Sequence, residues 1–500
     1  MRRRVRAVAA MALALSGLEA GWVSAAEYVV PTDFALIEEA VAAAAHGDTV
    51  TVLPGEHLIV DFLAWGSRDL VVRSLSGPAV TTIRGVNGGS GWDHVIISGG
   101  ATQASVLEGF TLAEFLEGAI DINDASPTLR NLVIVDCGVA ADFAPYGGGI
   151  YCENGSPVLI GVRFISNEAL TGGAFYCSGG SPTFFGCTFE SNWAVDGGAV
   201  YLSTSNASFV ACDFIDNDAR TYFSWDSLVY VDGHGGAVNA FRGAPSFGQC
   251  RFVHNRARDF VQHDTVALGG CGYFTYQSAP TFTGCTIVES GASTLGGAIL
   301  ATVGAQLTFS STIIAFTSEG GGLVVEGATA GATLACCDVY GNNGGDYVGM
   351  DDPTGQEGNI SANPLFCDPG AREYTLATGS PCLPAGNGCG VQIGAHGEGC
   401  AWPTAVEDAP APAGGGVALD CHPNPFNPTT AFSFEIPTPA RVSLTVYDVT
   451  GRHVQSLVDA DLPAGPHAVD FDGSGLGSGV YLAVLRIGER HAERKFTLVK

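Results

Sequence analysis

The residues of this 500-residue chain best suited to chemistry fall in two runs. Tyr222, Phe223, Trp225, Tyr230 and His234 occupy the first, and Arg256, Arg258, Asp259, Phe260, His263 and Asp264 the second, with Tyr146 in a smaller excursion upstream. In a chain only 14% charged, this mixture of rings, guanidinium and imidazole suits recognition of a carbohydrate or protein, flat rings stacking while polar tips orient. The competing reading is that the rings pack on one another to hold long loops down, with the charges solvated. Asp232-Gly233-His234-Gly235 sets a carboxylate beside an imidazole, but glycoside hydrolysis needs two positioned carboxyl groups, and no companion carboxylate pattern is present. Nor is there a serine elbow or a metallohydrolase motif.

Metal chemistry has little to draw on. Asp121, Asn123 and Asp124, and also Asp346, Asp351 and Asp352, offer oxygen ligands suited to calcium, yet neither run follows a calcium-loop spacing. Solvated turns are the simpler reading, and no cofactor is expected. No cysteine or histidine spacing matches a zinc site. Fifteen cysteines raise the question of disulfides. Cys187, Cys212, Cys250 and Cys285 share a repeat position with Leu132 and Val162, the setting of a small inward hydrophobe, and Cys152 and Cys177 form a second short column. Cys367, Cys382, Cys389 and Cys400 are the better bridge candidates, because covalent staples in a loop-rich segment would protect the end of a repeat array. Their pairing is left open.

The elements that must position these residues come from one repeated sentence. SPVLIGVRFISN at 156–167 returns as SPTFFGCTFESN at 181–192, NASFVACDFIDN at 206–217, APSFGQCRFVHN at 244–255 and APTFTGCTIVES at 279–290. Pro157, Pro182 and Ala207 stand 25 residues apart, a period that signals stacked units, each unable to bury its apolar face except against its neighbours. Aligned on Pro127, Pro157, Pro182, Ala207, Pro245 and Pro280, the second residue onward is Leu129, Leu159, Phe184, Phe209, Phe247 and Phe282, and the seventh is Ile134, Phe164, Phe189, Phe214, Phe252 and Ile287. The cysteine column and this last one are two apart and share a strand face, whereas the first is out of phase, so a bend lies between.

Ten residues after the anchor come Asn167, Asn192, Asn217 and Asn255, expected to take left-handed backbone at a corner and to hydrogen-bond to their copies one rung away. The glycine pairs at 147–148, 172–173, 197–198 and 235–236 mark the other corner. A coil of short strands follows, and an Ala-rich helical solenoid is excluded. Stacking in register makes the insertions after Asn217 and Asn255 leave one edge side by side, where loops on a rigid scaffold concentrate binding residues.

The GGA and FxxN repeats resemble those of chlamydial polymorphic outer-membrane proteins, and more broadly the right-handed parallel β-helices of the pectin-lyase-like class. That resemblance covers roughly residues 27–400 and implies the handedness and a short helix over the open first coil, within DFALIEEAVAAAAHGDTVTVLPGEH at 33–57. It also notes a GHG like that of polygalacturonase-type members at 233–235, although here Gly235 belongs to the repeat's own glycine pair. Residues 417–500 change to alternating strands at regular spacing, the pattern of a small antiparallel Ig-like sandwich. HPNPFNPTT at 422–430, VYDVTGR at 446–452 and the terminal GVYLAVLRIGERHAERKFTLVK resemble the C-terminal sorting domain of type IX secretion cargo. Passage through the outer membrane is what that implies, with the secretion machinery as partner.

The expected organisation is a signal peptide at 1–26, with Arg2, Arg3, Arg4 and Arg6 before an apolar run, a β-helix at 27–400, a Pro/Ala/Gly linker at 401–416 and the sorting domain at 417–500. No later segment is apolar over the 18 or so residues a membrane helix requires. A formal charge of −28 argues against nucleic acid or anionic membrane surfaces as partners. The fold class expected is all-β: a right-handed parallel solenoid followed by a small sandwich. The function expected is that of a non-enzymatic adhesin or glycan- or protein-binding stalk, exported to the extracellular or outer-membrane surface of a Gram-negative-type bacterium. The alternative is a polysaccharide lyase or hydrolase, which the fold permits without supporting.

Overall fold

The computed structural model describes residues 25–59, 62–85, 94–138, 146–224, 229–259, 266–401, 419–422, 424, 426, 428–448, 453–477, 479–487 and 490–498. Most of the expected leader at 1–26 and the linker at 401–416 lies outside them. The chain divides into two compact units, 1–402 and 403–500. The first is a solenoid with three parallel sheets of 12, 11 and 11 strands, and each coil gives one short strand to each sheet. In one coil these are Val200–Ser203, Ser208–Val210 and Asp213–Ile215. Every strand pairs in register with the strand one coil away, as in Phe184↔Phe209↔Phe247↔Phe282 and Phe164↔Phe189↔Phe214↔Phe252. Among the described residues no helix is long and apolar enough to cross a membrane.

The two phenylalanine columns point inward and stack ring on ring. Phe184, Phe209, Phe247 and Phe282 follow one another at centroid distances of 4.4, 5.0 and 4.8 Å, and Phe189, Phe214 and Phe252 at 4.6 Å each. That spacing is the strand repeat of about 4.8 Å, so an aromatic repeated in sequence is a stack in space. Cys187, Cys212, Cys250 and Cys285 form a third inward column, all buried and none bridged. Each thiol lies 3.3–3.7 Å from a carbonyl of the preceding coil. Burial pushes the Cys250 thiol well above its ordinary range, so it behaves as a compact apolar group.

The asparagine column is wholly buried, yet its members are not the left-handed residues expected. Positive φ belongs to the residue before each: Ser166, Ser191, Asp216 and His254, at 53–57°. The preceding residue makes the corner, and the asparagine side chain is thereby aimed inward. Asn217 Nδ2 donates to the carbonyl of Phe189 at 2.9 Å and to Asn255 Oδ1 at 3.0 Å, while its Oδ1 accepts from the backbone N and the Nδ2 of Asn192 at 3.0 Å each. One amide thus satisfies backbone groups that the corner leaves unpaired. At the opposite corner a Cβ on Gly236 would stand 2.2 Å from the carbonyl oxygen of Gly270 in the next coil, which is why only glycine fits.

Helix Ile37–Ala43 packs Ile37, Ala40 and Val41 against the solenoid interior. A strand unforeseen in the sequence, Glu27–Val30, precedes it and pairs with Thr49–Val52, so the first sheet begins before the helix. The other end departs further from expectation. Residues 360–400 do more than close the last coil: they run back over the outer face of the third sheet. Phe366, Tyr374, Leu376, Cys382 and Ile393 cover Val253, Val288, Ile313 and Ala315, Ala395 N donates to Thr286 Oγ1 at 2.9 Å, and Arg372 reaches Asp216 at 2.7 Å. Cys367 is bridged to Cys400, and Cys389 to Cys336, a residue outside the expected set. Cys382 is a free thiol inside this second core, 3.1 Å from Asp338 Oδ2. It is wholly buried in that core.

The second unit has antiparallel sheets of three and four strands, joined by one core in which Phe432 and Phe471 of the first meet Phe496 of the second at 4.9 and 5.5 Å.

These contacts generate two predictions. Asn217→Ala leaves three hydrogen-bonding groups short of a partner in a dry interior, the Phe189 carbonyl, the Asn192 backbone N–H and one Asn192 Nδ2 proton, because Asn255 Oδ1 still accepts from Asn217 N, and should cost at least about 3 kcal/mol at roughly 1–3 kcal/mol per unsatisfied group, whereas Cys212→Val, which keeps size and apolarity, should stay within about 1 kcal/mol; urea unfolding of both variants decides. The second concerns Asp338, fully buried, with burial pushing its carboxyl up to about 6 from 3.8. Below about pH 4 it is protonated folded or unfolded and adds no pH dependence; between about 4 and 6 only the folded chain holds the proton, so stability falls as pH rises through that window. Asp338→Asn should therefore be more stable than wild type at pH 7–8, by up to roughly 3 kcal/mol, with the gap closing near pH 4. Melting curves across that range in which the variant is uniformly less stable would contradict it.

Candidate functional site

Beyond the asparagine corner the chain forms a fourth parallel ladder along one edge, built from Trp193–Ala194, Asp218–Arg220, Arg256–Arg258 and Gly291–Ala292. Where insertions were expected to leave as loops, the first residues of each remain rungs. Alternation explains the result: in DAR and RAR the central Ala219 and Ala257 turn inward, forming a small cluster with Ala267 and Ala292, and the flanking charges face out. Register sets Asp218 opposite Arg256 and Arg220 opposite Arg258. Further along, Tyr222–Ser224 and Val229–Val231 form an antiparallel hairpin, and Gly233–His234 pairs in parallel with Ala267–Leu268. The two inserted runs are tied together, since Thr221 Oγ1 donates to Asp259 Oδ1 at 2.9 Å and Val266 N to Asp232 Oδ1 at 2.9 Å.

The outward charges converge on a cleft of about 300 Å³ lined by Asp216, Asp218, His254, Arg256, Arg258 and Arg372. Asp218 is buried and shared: Arg220 Nε donates to it at 2.5 Å, Arg258 Nε donates at 3.0 Å, and Arg258 Nη2 also pairs with it. That carboxylate holds the Arg258 guanidinium above its ordinary range. Arg220 also lies over the Trp193 ring at 4.7 Å, a cation–π contact that fixes it further. Asp216 pairs with Arg372 at 2.7 Å and lies 3.7 Å from His254, whose other ring nitrogen pairs with Glu289. Arg256 is exposed and has no carboxylate partner among the described residues.

His234 belongs to a different group. Its Nδ1 is 2.7 Å from Asp196 Oδ1, which also accepts from Asn239 Nδ2 at 3.2 Å, and its ring stacks on Tyr273 at 4.8 Å. This cluster continues a tyrosine column on the outer face of the second sheet: Tyr151, Tyr176 and Tyr201 stack at 5.3 and 5.5 Å, and Asn239 takes the next rung before Tyr273. Asp196 orients the imidazole as a carboxylate does in acid–base pairs, and no second acid among the described residues pairs with it.

Of the residues singled out in the sequence, Arg256 and Arg258 share the cleft, His234 stands in the Asp196 cluster, and Asp259 braces Thr221. Tyr222, Phe223 and Tyr230 belong to the hairpin by their backbone. Trp225, Phe260, His263 and Asp264 lie outside the described residues. The sequence did not single out Asp218, Asp216, His254 and Arg372; the signal for Asp218 is the DAR/RAR match directly after Asn217 and Asn255, whereas Arg372 carries none, since only the fold-back brings it there. Asp121 Oδ1 accepts from Asn123 Nδ2 at 2.6 Å, and Asp346 Oδ1 accepts from the backbone N and the Nδ2 of Asn342. Asp352 Oδ1 accepts from Thr354 N. Among the described residues no three His, Cys, Asp or Glu side chains group as a metal site.

The right-handed β-helix region family matches residues 74–360, and the secretion system C-terminal sorting domain matches residues 420–499. No curated protein matches the chain. Among solved structures, ORF18 of Geobacillus virus E2 is similar at 12% identity over 86% of this chain and 74% of its own, with a TM-score of 0.31, too loose a superposition to transfer anything.

Proposed function

Because this chain belongs to the right-handed β-helix family and carries a type IX secretion sorting domain over 420–499, making it an exported surface protein, we propose that it is a non-enzymatic binding stalk. The solenoid supplies a rigid rod, and the edge after the asparagine corner supplies the recognition surface for an extracellular glycan or protein. The observation that carries this reading is the unbroken register through Asp218–Arg220 and Arg256–Arg258. Function-bearing side chains there sit on rungs and are held at fixed spacing, as preorganised binding requires, while the rod's interior stays uniform. Carboxylates at the edge are committed to guanidiniums, which suits holding a ligand better than glycosidic chemistry, where two carboxyl groups must be free to exchange protons or attack.

The Asp196–His234 pair supports a second reading, a polysaccharide lyase or hydrolase of the pectin-lyase-like class, with His234 as general base or acid. Incubation of the full chain with a panel of acidic and neutral glycans separates the two. The stalk should retain a ligand while releasing neither reducing ends nor unsaturated sugars. Sustained product release that disappears in His234→Ala would establish the enzyme instead.

A further inference from the structure

The cleft beside Arg256 differs in charge from the rest of the molecule. The chain as a whole carries −28, yet three guanidiniums and two carboxylates line this recess. Both carboxylates are taken: Asp216 by Arg372, and Asp218 jointly by Arg258 and by Arg220 from beside the cleft. Arg256 is left over, exposed on the strand between them with no carboxylate partner among the described residues. We propose that this cleft binds an acidic sugar unit of an extracellular polysaccharide, with Arg256 as the anchor for its carboxylate or sulfate ester. This rests on the edge being the ligand-binding surface.

Three features point to a hydroxylated anion. A guanidinium presents a planar fork of donors matched to an oxyanion, and such charge-assisted bonds are about twice as strong as neutral ones. The pair that Arg372 forms leaves capacity, because it bonds Asp216 through Nη1, which uses one of five N–H donors. Asp216, its side chain 32% exposed, also keeps lone pairs that accept from hydroxyls; a bare polyanion would meet this carboxylate without such compensation, whereas a sugar supplies hydroxyls together with its charge. At about 300 Å³ the cleft lies at the small end of the roughly 300–1,000 Å³ typical of ligand pockets, suited to a unit of a chain rather than a large ligand. The site is built from two distant segments, the fourth ladder and the fold-back residue Arg372, which Asp216 holds in place at 2.7 Å. Its shape therefore exists before any ligand arrives, which lowers the ordering cost of binding.

The test uses the full chain and three probes: oligogalacturonate for the carboxylate, dextran sulfate for the sulfate ester, and uncharged dextran. Affinity is measured by calorimetry, with reducing ends and unsaturated products monitored in the same samples. The wild type should bind at least one anionic probe and not dextran, more weakly as salt rises. Arg256→Ala should weaken that binding about ten-fold or more with an unchanged melting temperature, because no ion pair is lost, and Arg256→Lys should recover only part, since the charge remains but the fork does not. Failure to bind either anionic probe, or binding indifferent to Arg256→Ala, overturns the proposal. Binding of dextran as tight as that of the charged polymers overturns it while leaving the edge a glycan surface. Cleavage of a probe whose binding still depends on Arg256 would sink the non-enzymatic stalk but not this site.

Discussion

The strict vertical register of the coils is the constraint on which everything else here depends. In a parallel solenoid each strand's hydrogen bonds run to the next coil, so a residue at one position stands directly over its copy about 4.8 Å away. A side chain that cannot tolerate its own image is excluded from that column, and one that can becomes self-reinforcing. Phenylalanine tolerates it by stacking, and asparagine by donating and accepting at once: Asn167, Asn192, Asn217 and Asn255 pass hydrogen bonds along at 3.0 Å. A buried amide is costly unless satisfied, and this column satisfies its members only while the coils remain in step. The ladder therefore specifies register as well as adding stability.

The same constraint governs the edge. Because Asn217 and Asn255 are held on one vertical line, the residues after them begin from the same place, and Asp218 must lie opposite Arg256. The same register sets Arg220 opposite Arg258, like charges that would repel at that distance, and Asp218 relieves this by pairing with both guanidiniums. Arg220, Arg256 and Arg258 outnumber Asp218 on the described strands of this ladder, and the imbalance makes the recess beside them an anion site in an acidic protein. The fold-back of 360–400 completes it from the far end of the solenoid through Arg372, so the site depends on long-range packing that Cys336–Cys389 and Cys367–Cys400 help to secure.

Much of this was legible in the sequence, because in a solenoid a repeat column is already a spatial column. The Phe, Cys and Asn positions could be read as stacks from a 25-residue period alone, and the glycine pairs as corners. What escaped was whatever the period does not encode. The left-handed corner falls on Ser166, Ser191, Asp216 and His254, chemically mixed residues whose shared role is backbone geometry. The covered outer face of the third sheet did leave a trace: the outward positions Val253, Val288, Ile313 and Ala315 are apolar, where an uncovered face would alternate with polar residues. Which segment covers them is not periodic information, and neither Cys336 as the partner of Cys389 nor Arg372 beside Asp216 could be reached without the fold. The site was half visible: Arg256 and Arg258 stood out as cations in a sparsely charged chain, but the carboxylates that hold the cleft together looked like ordinary polar corners.

Hydrogen–deuterium exchange of the full chain tests the central claim that the edge is a continuation of the rungs. Amides held in a ladder exchange only when the ladder opens, whereas loop amides exchange freely. Peptides covering Asp218–Arg220 and Arg256–Arg258 should be protected to the same order as the neighbouring strands Asp213–Ile215 and Arg251–Val253. Exchange of those two triplets at the rate of an unstructured segment, with the neighbouring strands still protected, would contradict the account, because the charges would then hang on loops and no register would set them over one another.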